Sequence, residues 1–380
     1  MNYEDTPLRV LHITEMLSAA GIESFIMNMY RNIDRSKVQF DFLVLRDQKE
    51  FYDDEIRSLG GHKYYVHSSK KNTLLRIWDE SKQIEKFLKK HKYNIVHIHY
   101  TTPLRAPYLL AAKNAGVPVR IYHAHSAAVS GKSKIKLLIY NYYRNKINKW
   151  GTDWFACSQA AADWIFSDKL IKNGNVEVVY NGIDTTRFQY SEDQRNKIRN
   201  KLKLGKSFTV IHTGRFIEQK NQMFILDIFA NLLVKCPDAK LLLLGTGKLL
   251  EKTKEYAKTL GILENVQFLG VKSNVEEYLC AADCYVMPSL YEGLPVAAVE
   301  AECTGLQCYL STNITKEVAL TDETYFLELS QAAEVWANKI ICNRKVDRHD
   351  KSQMVAKNGY DVKDAAMRLQ NKYIKMARRG

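Results

Sequence analysis

Two glutamates eight residues apart, Glu292 and Glu300, stand in the run S-L-Y-E-G-L-P-V-A-A-V-E-A over residues 289–301. An apolar, strand-like run, Asp283–Pro288, precedes it, and after Gly293 the pattern turns helical. Pro295 suits the first helical turn, where its missing N–H costs nothing. At about 100° per residue, Glu300 falls roughly two turns on, within about a quarter turn of the Glu292 direction. One carboxylate then sits at the loop-to-helix junction and the other deeper on the helix. The amides of Gly293 and Leu294 open between them, and free amides at a helix N-terminus attract anions. Carboxylates beside such a site suit a polyhydroxylated ligand that also carries phosphate, as a nucleotide sugar does. By themselves, two acids at this spacing equally describe a capping residue and a solvated one.

A second phosphate-handling run lies upstream. Thr213–Asn221 reads T-G-R-F-I-E-Q-K-N, directly after one strand pattern and before a helix pattern. Gly214 permits a tight turn. Arg215 and Lys220 then project from a strand-to-helix loop, where a pyrophosphate can take a planar fork from one and a point charge from the other. Gly245 and Gly247 form another strand-to-helix glycine loop, and Leu269–Lys272 (L-G-V-K) closes the next strand. Near the start, Glu15–Glu23 (E-M-L-S-A-A-G-I-E) follows the first strand pattern and opens a helix.

Two His-x-His pairs, His97/His99 and His123/His125, end neighbouring strand patterns, and alternation puts each pair on one face. A zinc site needs three or four ligands within tetrahedral reach, and no cysteine or carboxylate belongs to either pair. No metal site is therefore expected, and His97 and His99 read as core or hinge histidines.

Several of these runs resemble the signatures of glycosyltransferase family 4, whose members are retaining enzymes of the GT-B fold. Glu292-Gly293-Leu294-Pro295 with Glu300-Ala301 is similar to its E-x7-E signature, and Gly214–Asn221 to its G-R-x-x-x-x-K-N diphosphate motif. The resemblance implies that Gly245 and Gly247 lie near the nucleotide and that Val271 meets the base. It implies that Glu300 accepts from ribose hydroxyls, and that Glu292 holds sugar hydroxyls or stabilises positive charge near the anomeric carbon. His123 then lines the donor sugar, with His125 as the alternative. The family usually has Gly-Gly in the first-domain loop; this chain has Ala20-Gly21, and Gly21 keeps the close approach. Asn181–Asp184 resembles an N-G-I-D turn at the domain junction. The resemblance covers nearly the whole chain and is closest to enzymes that build bacterial exopolysaccharide or capsule. It implies transfer of a hexose from a nucleoside diphosphate sugar, a UDP-sugar by preference, to a lipid-linked saccharide. No Asp-x-Asp occurs, so no divalent metal or other cofactor is expected. The alternative is a membrane-associated nucleotide-sugar-binding protein with little turnover.

The elements that position these residues alternate throughout. Strand patterns at Arg9–Thr14, Val38–Leu45, Lys63–Val66, Asn94–His99, Val117–His123, Trp154–Cys157 and Val176–Tyr180 are separated by helical stretches. The pattern restarts at Phe208–Thr213, Lys240–Leu244, Asn265–Leu269, Asp283–Met287 and Gln307–Ser311. This order implies parallel sheets covered on both faces. At 380 residues the expectation is two doubly wound, Rossmann-like α/β domains, 1–190 on the acceptor side and 191–361 for the donor, with ligands in the cleft between them. A last helix, 362–380, is expected to return to the first domain.

Hydrophobic content of 46% and charged content of 26% suit a globular enzyme. The seven cysteines show no metal spacing and read as reduced thiols. Met1–Arg9 lacks the apolar core of a signal peptide, and no run reaches the ~18–20 apolar residues of a membrane span. A net charge of +14 calls for an anionic partner. Residues 126–152 hold Lys132, Lys134, Lys136, Arg144, Lys146 and Lys149 and no acid, interleaved with Leu137, Leu138, Tyr140, Tyr143 and Trp150. That composition suits a helix lying on an anionic membrane through 131–150, with Tyr140, Tyr143 and Trp150 at headgroup level. The basic stretch Lys82–Lys92 reads as a solvated face. No nucleic-acid-binding module is visible. The expected location is cytoplasmic, peripheral on the inner face of the plasma membrane.

Overall fold

The computed structural model describes residues 6–18, 21–125, 134–345 and 347–379. They form two compact units, one holding the chain up to Gly182 plus the helix from Val362, the other spanning Ile183–Asp361.

In the first unit, strands β1 (Leu8–Ile13), β2 (Val38–Val44), β3 (Lys63–Tyr65), β4 (Ile95–Tyr100), β5 (Val119–Ala124), β6 (Asp153–Ala156) and β7 (Val176–Val178) make one sheet. Their order is β3-β2-β1-β4-β5-β6-β7, and every pairing is parallel. Both faces are covered, so the central strands are apolar on alternate sides. Leu11, Ile13, Val96, Ile98 and Tyr122 pack on one side. Val10, Phe40, Phe42, Ile95 and Ile121 pack on the other, under the helices Gly21–Asn32 and Val362–Ala377. The last helix contributes Val362, Ala365, Ala366, Leu369, Tyr373 and Met376 to that side, the i, i+3, i+4 stripe of an amphipathic helix. The helix Thr73–Lys90 starts where the Asn72 side chain accepts from the amides of Leu74 and Leu75, and ends on Lys89 and Lys90, which favour its negative end.

In the second unit, β8 (Thr209–Thr213), β9 (Lys240–Leu244), β10 (Val266–Gly270), β11 (Cys284–Met287), β12 (Gln307–Ser311) and β13 (Thr324–Leu327) are ordered β10-β9-β8-β11-β12-β13. They too are all parallel. The division between units falls after Gly182. Residues up to 190 and the helix Glu192–Lys201 belong to the second unit because Tyr190 N–H donates to Asp350 and Arg195 pairs with Asp283 at 2.6 Å. The chain passes back at Asp361, which is bridged to Ile183. Among the described residues no helix is long and apolar enough to cross a membrane.

Candidate active site

In the second sheet the chain runs outward from β8 through β9 to β10, then returns to β11 on the other side of β8. Loops leaving β8 and β11 therefore part, and such a switch point leaves a crevice at the carboxyl ends of the strands. The candidate residues lie along that edge in spatial order: Val271 after β10, Gly245 and Gly247 after β9, Arg215 and Lys220 after β8, and Glu292, Gly293, Leu294 and Glu300 after β11.

Close backbone approach explains the glycines. A Cβ on Gly245, at φ 129°, would stand 2.1 Å from the Gly214 carbonyl oxygen, and one on Gly247 would stand 2.5 Å from that of Phe216. Main-chain bonds lock the three loops together: Gly214 N–H donates to Leu244, Phe216 N–H to Thr246, and Gly245 N–H to Gly270. Val271 follows as an exposed apolar residue.

The β8 loop is anchored from below. His212 is buried, its Nδ1 is 2.9 Å from the Val286 carbonyl oxygen, and burial with Lys220 nearby pushes its pKa down to about 3. It is therefore neutral and donates from Nδ1. Gln222 Nε2 donates to the Arg215 carbonyl, while the Arg215 guanidinium is exposed with no partner among the described residues. Lys220 Nζ lies 2.7 Å from Glu292 Oε1, both half-buried. Across the same junction Leu290 N–H donates to Gln219, Gln219 Nε2 to Tyr291, and Asn221 Nδ2 to Pro288. Asn221 sits at φ 56°, a left-handed position that Asn tolerates.

The Glu292–Glu300 geometry differs from the sequence expectation. The helix is Val296–Cys303, and Pro295 is its N-cap at φ −75°, ψ 102°, outside the first turn. Residues 292–295 are not helical, so the angular relation drawn from helical spacing does not hold. The amides of Gly293 and Leu294 have no protein acceptor among the described residues. Glu300 is pushed up to about 7 by burial, against the pull of Arg187; Glu276 adds to the rise. Arg187 itself is held by Glu276 at 2.6 Å. Reading the sequence did not single out His212, Arg187 or Glu276. A His one residue before the strand-end Thr213-Gly214 was the available signal for the first; nothing local marked the other two.

In the first unit, Gly21 opens the helix Gly21–Asn32 with open space where a Cβ would stand. Ala20 lies outside the described residues. Glu23, two residues on, is buried and its carboxyl is pushed up to about 7 by burial, with the Thr14 side chain hydrogen-bonded to it. His123 is the next-to-last residue of β5, fully buried, with Nε2 unpartnered among the described residues, and His125 follows the strand. Among the described residues two trios, His12/His97/His99 and His99/His123/His125, bring ring nitrogens within 4.8 Å of one another, close enough for a cation to be considered.

The basic helix spans Lys134–Trp150 as described; Lys132 and the other residues before 134 lie outside the described residues. Tyr143 and Trp150 are in the core, which corrects their expected headgroup placement, and Tyr140 packs edge-on against Trp164. Arg144 is committed to the Asp163 and Phe166 carbonyls. The outward face instead carries Ile135, Leu138 and Tyr142 beside Lys134 and Lys136. Trp78, from the helix Thr73–Lys90, donates to the Tyr143 hydroxyl at 3.3 Å and adds its own exposed neighbours Leu74 and Leu75.

Comparison with known proteins accounts for both units. The family model described as Glycosyltransferase Family 4 matches residues 19–187, and that described as Glycosyl transferases group 1 matches 193–361. EpsF of Bacillus subtilis, named as a glycosyltransferase, is 34% identical over 96% of both chains. The UDP-Gal:alpha-D-GlcNAc-diphosphoundecaprenol alpha-1,3-galactosyltransferase of Escherichia coli is 25% identical over 82% of this chain and 81% of its own. Among solved structures, Anabaena Alr3699/HepE in complex with UDP superposes with a TM-score of 0.75 at 17% identity, over 97% of this chain and 100% of that one. The chain belongs to glycosyltransferase family 4, and its two parallel-sheet units are those of the GT-B fold.

Proposed function

We propose that this glycosyltransferase moves a hexose, with retention of anomeric configuration, from a UDP-sugar to a lipid-linked saccharide during exopolysaccharide or capsule assembly. The observation that carries the reading is the carboxyl edge of the second sheet, whose loops hold, among the described residues, a guanidinium and two amides without a protein partner, a half-buried ammonium paired with one carboxylate, a second carboxylate, and glycines that admit close backbone approach. As the donor C–O bond breaks, negative charge grows on the leaving diphosphate. Arg215, Lys220 and the Gly293 and Leu294 amides stabilise that charge without a divalent metal or other cofactor. Glu300 accepts from the ribose, Gly245, Gly247 and Val271 flank the nucleotide, and Glu292 meets the sugar. No covalent nucleophile is assigned. The Escherichia coli relative supports the donor and acceptor classes by its name, which gives UDP-Gal and a diphosphoundecaprenol-linked sugar.

The acceptor's lipid calls for a membrane-facing surface. Ile135, Leu138, Tyr142, Leu74 and Leu75 with Lys134 and Lys136 supply apolar contact and positive charge for an anionic inner leaflet. The protein then works as a peripheral cytoplasmic enzyme with no nucleic-acid partner.

The test is turnover with a panel of UDP-sugars and a polyprenyl-diphosphate-linked saccharide, with and without excess chelator, reading the anomeric configuration of the product by NMR. Retained configuration and chelator-resistant transfer are expected. Inversion, or activity lost to chelator and restored by magnesium or manganese, overturns the mechanism. Binding without any transfer would leave a nucleotide-sugar-binding protein.

A further inference from the structure

His212, the fourth residue of β8, is fully buried beneath the loop that carries Arg215 and Lys220. Its Nδ1 lies 2.9 Å from the Val286 carbonyl oxygen on β11. A carbonyl only accepts, so Nδ1 carries the hydrogen. Burial keeps the ring neutral, and a neutral imidazole has one N–H and one lone pair. The lone pair is therefore on Nε2. That atom is buried and has no hydrogen-bond partner among the described residues. An unmet buried acceptor is costly.

The groups around Nε2 leave one donor for it. Gly214 N–H is spent on the Leu244 carbonyl. The Tyr285 ring lies at 22° to the imidazole with centroids 6.1 Å apart, and its hydroxyl turns to Thr213. Lys220 is the remaining neighbour. A Cβ on Gly214 would stand 3.1 Å from His212 Nε2, and 3.4 and 3.5 Å from Lys220 Cδ and Cε. The glycine thus leaves open the small gap across which the imidazole edge and the lysine stem face each other. Lys220 Nζ lies 2.7 Å from Glu292 Oε1, yet that oxygen also receives no hydrogen bond among the described residues. The two charges are close, but their angles are not those of a directed bond. One ammonium with three hydrogens therefore neighbours two buried acceptors that lack a directed donor.

We propose that His212 is a positioning residue for Lys220: its Nε2 lone pair accepts one ammonium hydrogen when a diphosphate draws Lys220 off Glu292, so that another hydrogen points at the phosphate oxygens. The diphosphate half rests on the assignment of Lys220 made above; the contact between the two side chains does not. Such a bond is charge-assisted. A neutral acceptor also leaves the full positive charge to the ligand, where a second carboxylate would cancel it.

The experiment uses full-length protein labelled with 15N-histidine, the His212 signals being those lost in His212→Gln. The unmutated protein without nucleotide is expected to show Nδ1 protonated and Nε2 bare. Saturating UDP should move the Nε2 signal toward that of a hydrogen-bonded acceptor, and Lys220→Met should abolish the movement. Glu292→Gln should give the same movement without nucleotide, because it frees the ammonium. Turnover separates positioning from anchoring. His212→Asn keeps a donor for the Val286 carbonyl and no acceptor for Lys220, whereas His212→Gln keeps an acceptor at the Nε2 position and loses the strand contact. Positioning predicts that His212→Asn loses about tenfold in kcat, the scale of one lost hydrogen bond, and that His212→Gln retains most of it; a purely structural anchor predicts the reverse order. A protonated Nε2 overturns the proposal, as does an Nε2 signal left unmoved by bound UDP or by Glu292→Gln, or His212→Asn outperforming His212→Gln. If UDP does not bind, the proposed function fails while Glu292→Gln still decides the contact.

Discussion

If Glu300 accepts from the ribose as proposed, nucleotide binding should depend on pH in a way that can be worked out beforehand. Its carboxyl stands at about 7 in place of the ordinary 4.5, chiefly because burial disfavours the charge. Ribose hydroxyls donate more strongly to a carboxylate than to a neutral acid. Binding therefore selects the ionised form and releases a proton below pH 7. With a pKa near 7, roughly nine-tenths of the sites are ionised at pH 8 and roughly one-tenth at pH 6. If affinity follows that fraction, Kd rises about tenfold from pH 8 to pH 6 and flattens above pH 8. Calorimetry with an intact nucleotide sugar is the assay, since its diphosphate lacks the terminal phosphate ionisation, near 6, of a phosphate monoester. Glu300→Gln should flatten the profile. The same carboxyl bears on stability. Its folded pKa lies above its unfolded one, so its contribution is fully present below about 4.5 and is lost as pH rises through about 7. Glu23 and Glu302 shift the same way to about 7, so Glu300→Gln recovers only part of the loss at pH 8. A Kd that is flat from pH 6 to 8, or a slope that survives in Glu300→Gln, refutes the assignment.

Arg215→Ala and Lys220→Ala should each lower turnover by ~10²–10³-fold, as expected for lost stabilisers of developing charge, Arg215→Ala with unchanged melting and Lys220→Ala with somewhat lower stability because Glu292 loses its partner; full steady-state activity in both would remove them from the diphosphate site. Gly245→Ala forces a Cβ to within 2.1 Å of the Gly214 carbonyl oxygen, so calorimetry should find nucleotide binding lost and scanning should find stability lower by more than about 1 kcal/mol. A normally melting, normally binding variant contradicts that packing. Glu292→Gln removes the anion that holds Lys220 and should tighten UDP binding about fivefold while slowing turnover; weaker binding would show that Glu292 does not compete for the lysine. Lys134→Glu with Lys136→Glu should cut sedimentation with anionic vesicles more than tenfold, at about 1 kcal/mol per cation, and leave solution hydrolysis of the donor unchanged. Vesicle binding that persists through the reversal and high salt rules out that surface.

The sheet architecture was legible because strands buried on both faces read as continuous apolar runs. Lys240–Leu244 and Gln307–Ser311 carry the same bounds in sequence and structure. The strand Thr324–Leu327 was not legible. It is a four-residue sheet edge, Thr-Tyr-Phe-Leu, with three half-buried side chains and one buried, and so short an apolar run does not distinguish a strand from a loop or helix segment. The helix start at Val296 was misjudged for a different reason. Proline is compatible with both a cap and a first turn, and only the backbone angle of Pro295 separates them. On the basic helix, composition gave the charge but not the rotation. Tyr143 and Trp150 are less apolar than Ile135 and Leu138, yet packing buries the aromatic pair and leaves the aliphatic pair outward.

The site shows the same boundary between local and long-range information. Motif residues were visible because most lie in the loops that leave strand ends at a carboxyl edge, and Glu300 lies on the helix such a loop opens. Their partners were not, because spacing assigns a face and says nothing of what stands opposite. Lys220 and Glu292 were read as acting on different parts of a ligand. In the folded unit they hold each other at 2.7 Å, with the β8 and β11 loops stitched beside them by Gln219 and Asn221. An arriving diphosphate must then compete with Glu292 for the ammonium, and a sugar hydroxyl must compete with Lys220 for the carboxylate. A ligand carrying both groups replaces both halves of the pair at once. A nucleoside or a free sugar replaces at most one and leaves the other charge half-buried and unpaired. On the proposed function, the ion pair should favour the intact nucleotide sugar over its fragments, because the fold brings two separate motifs to the same switch point.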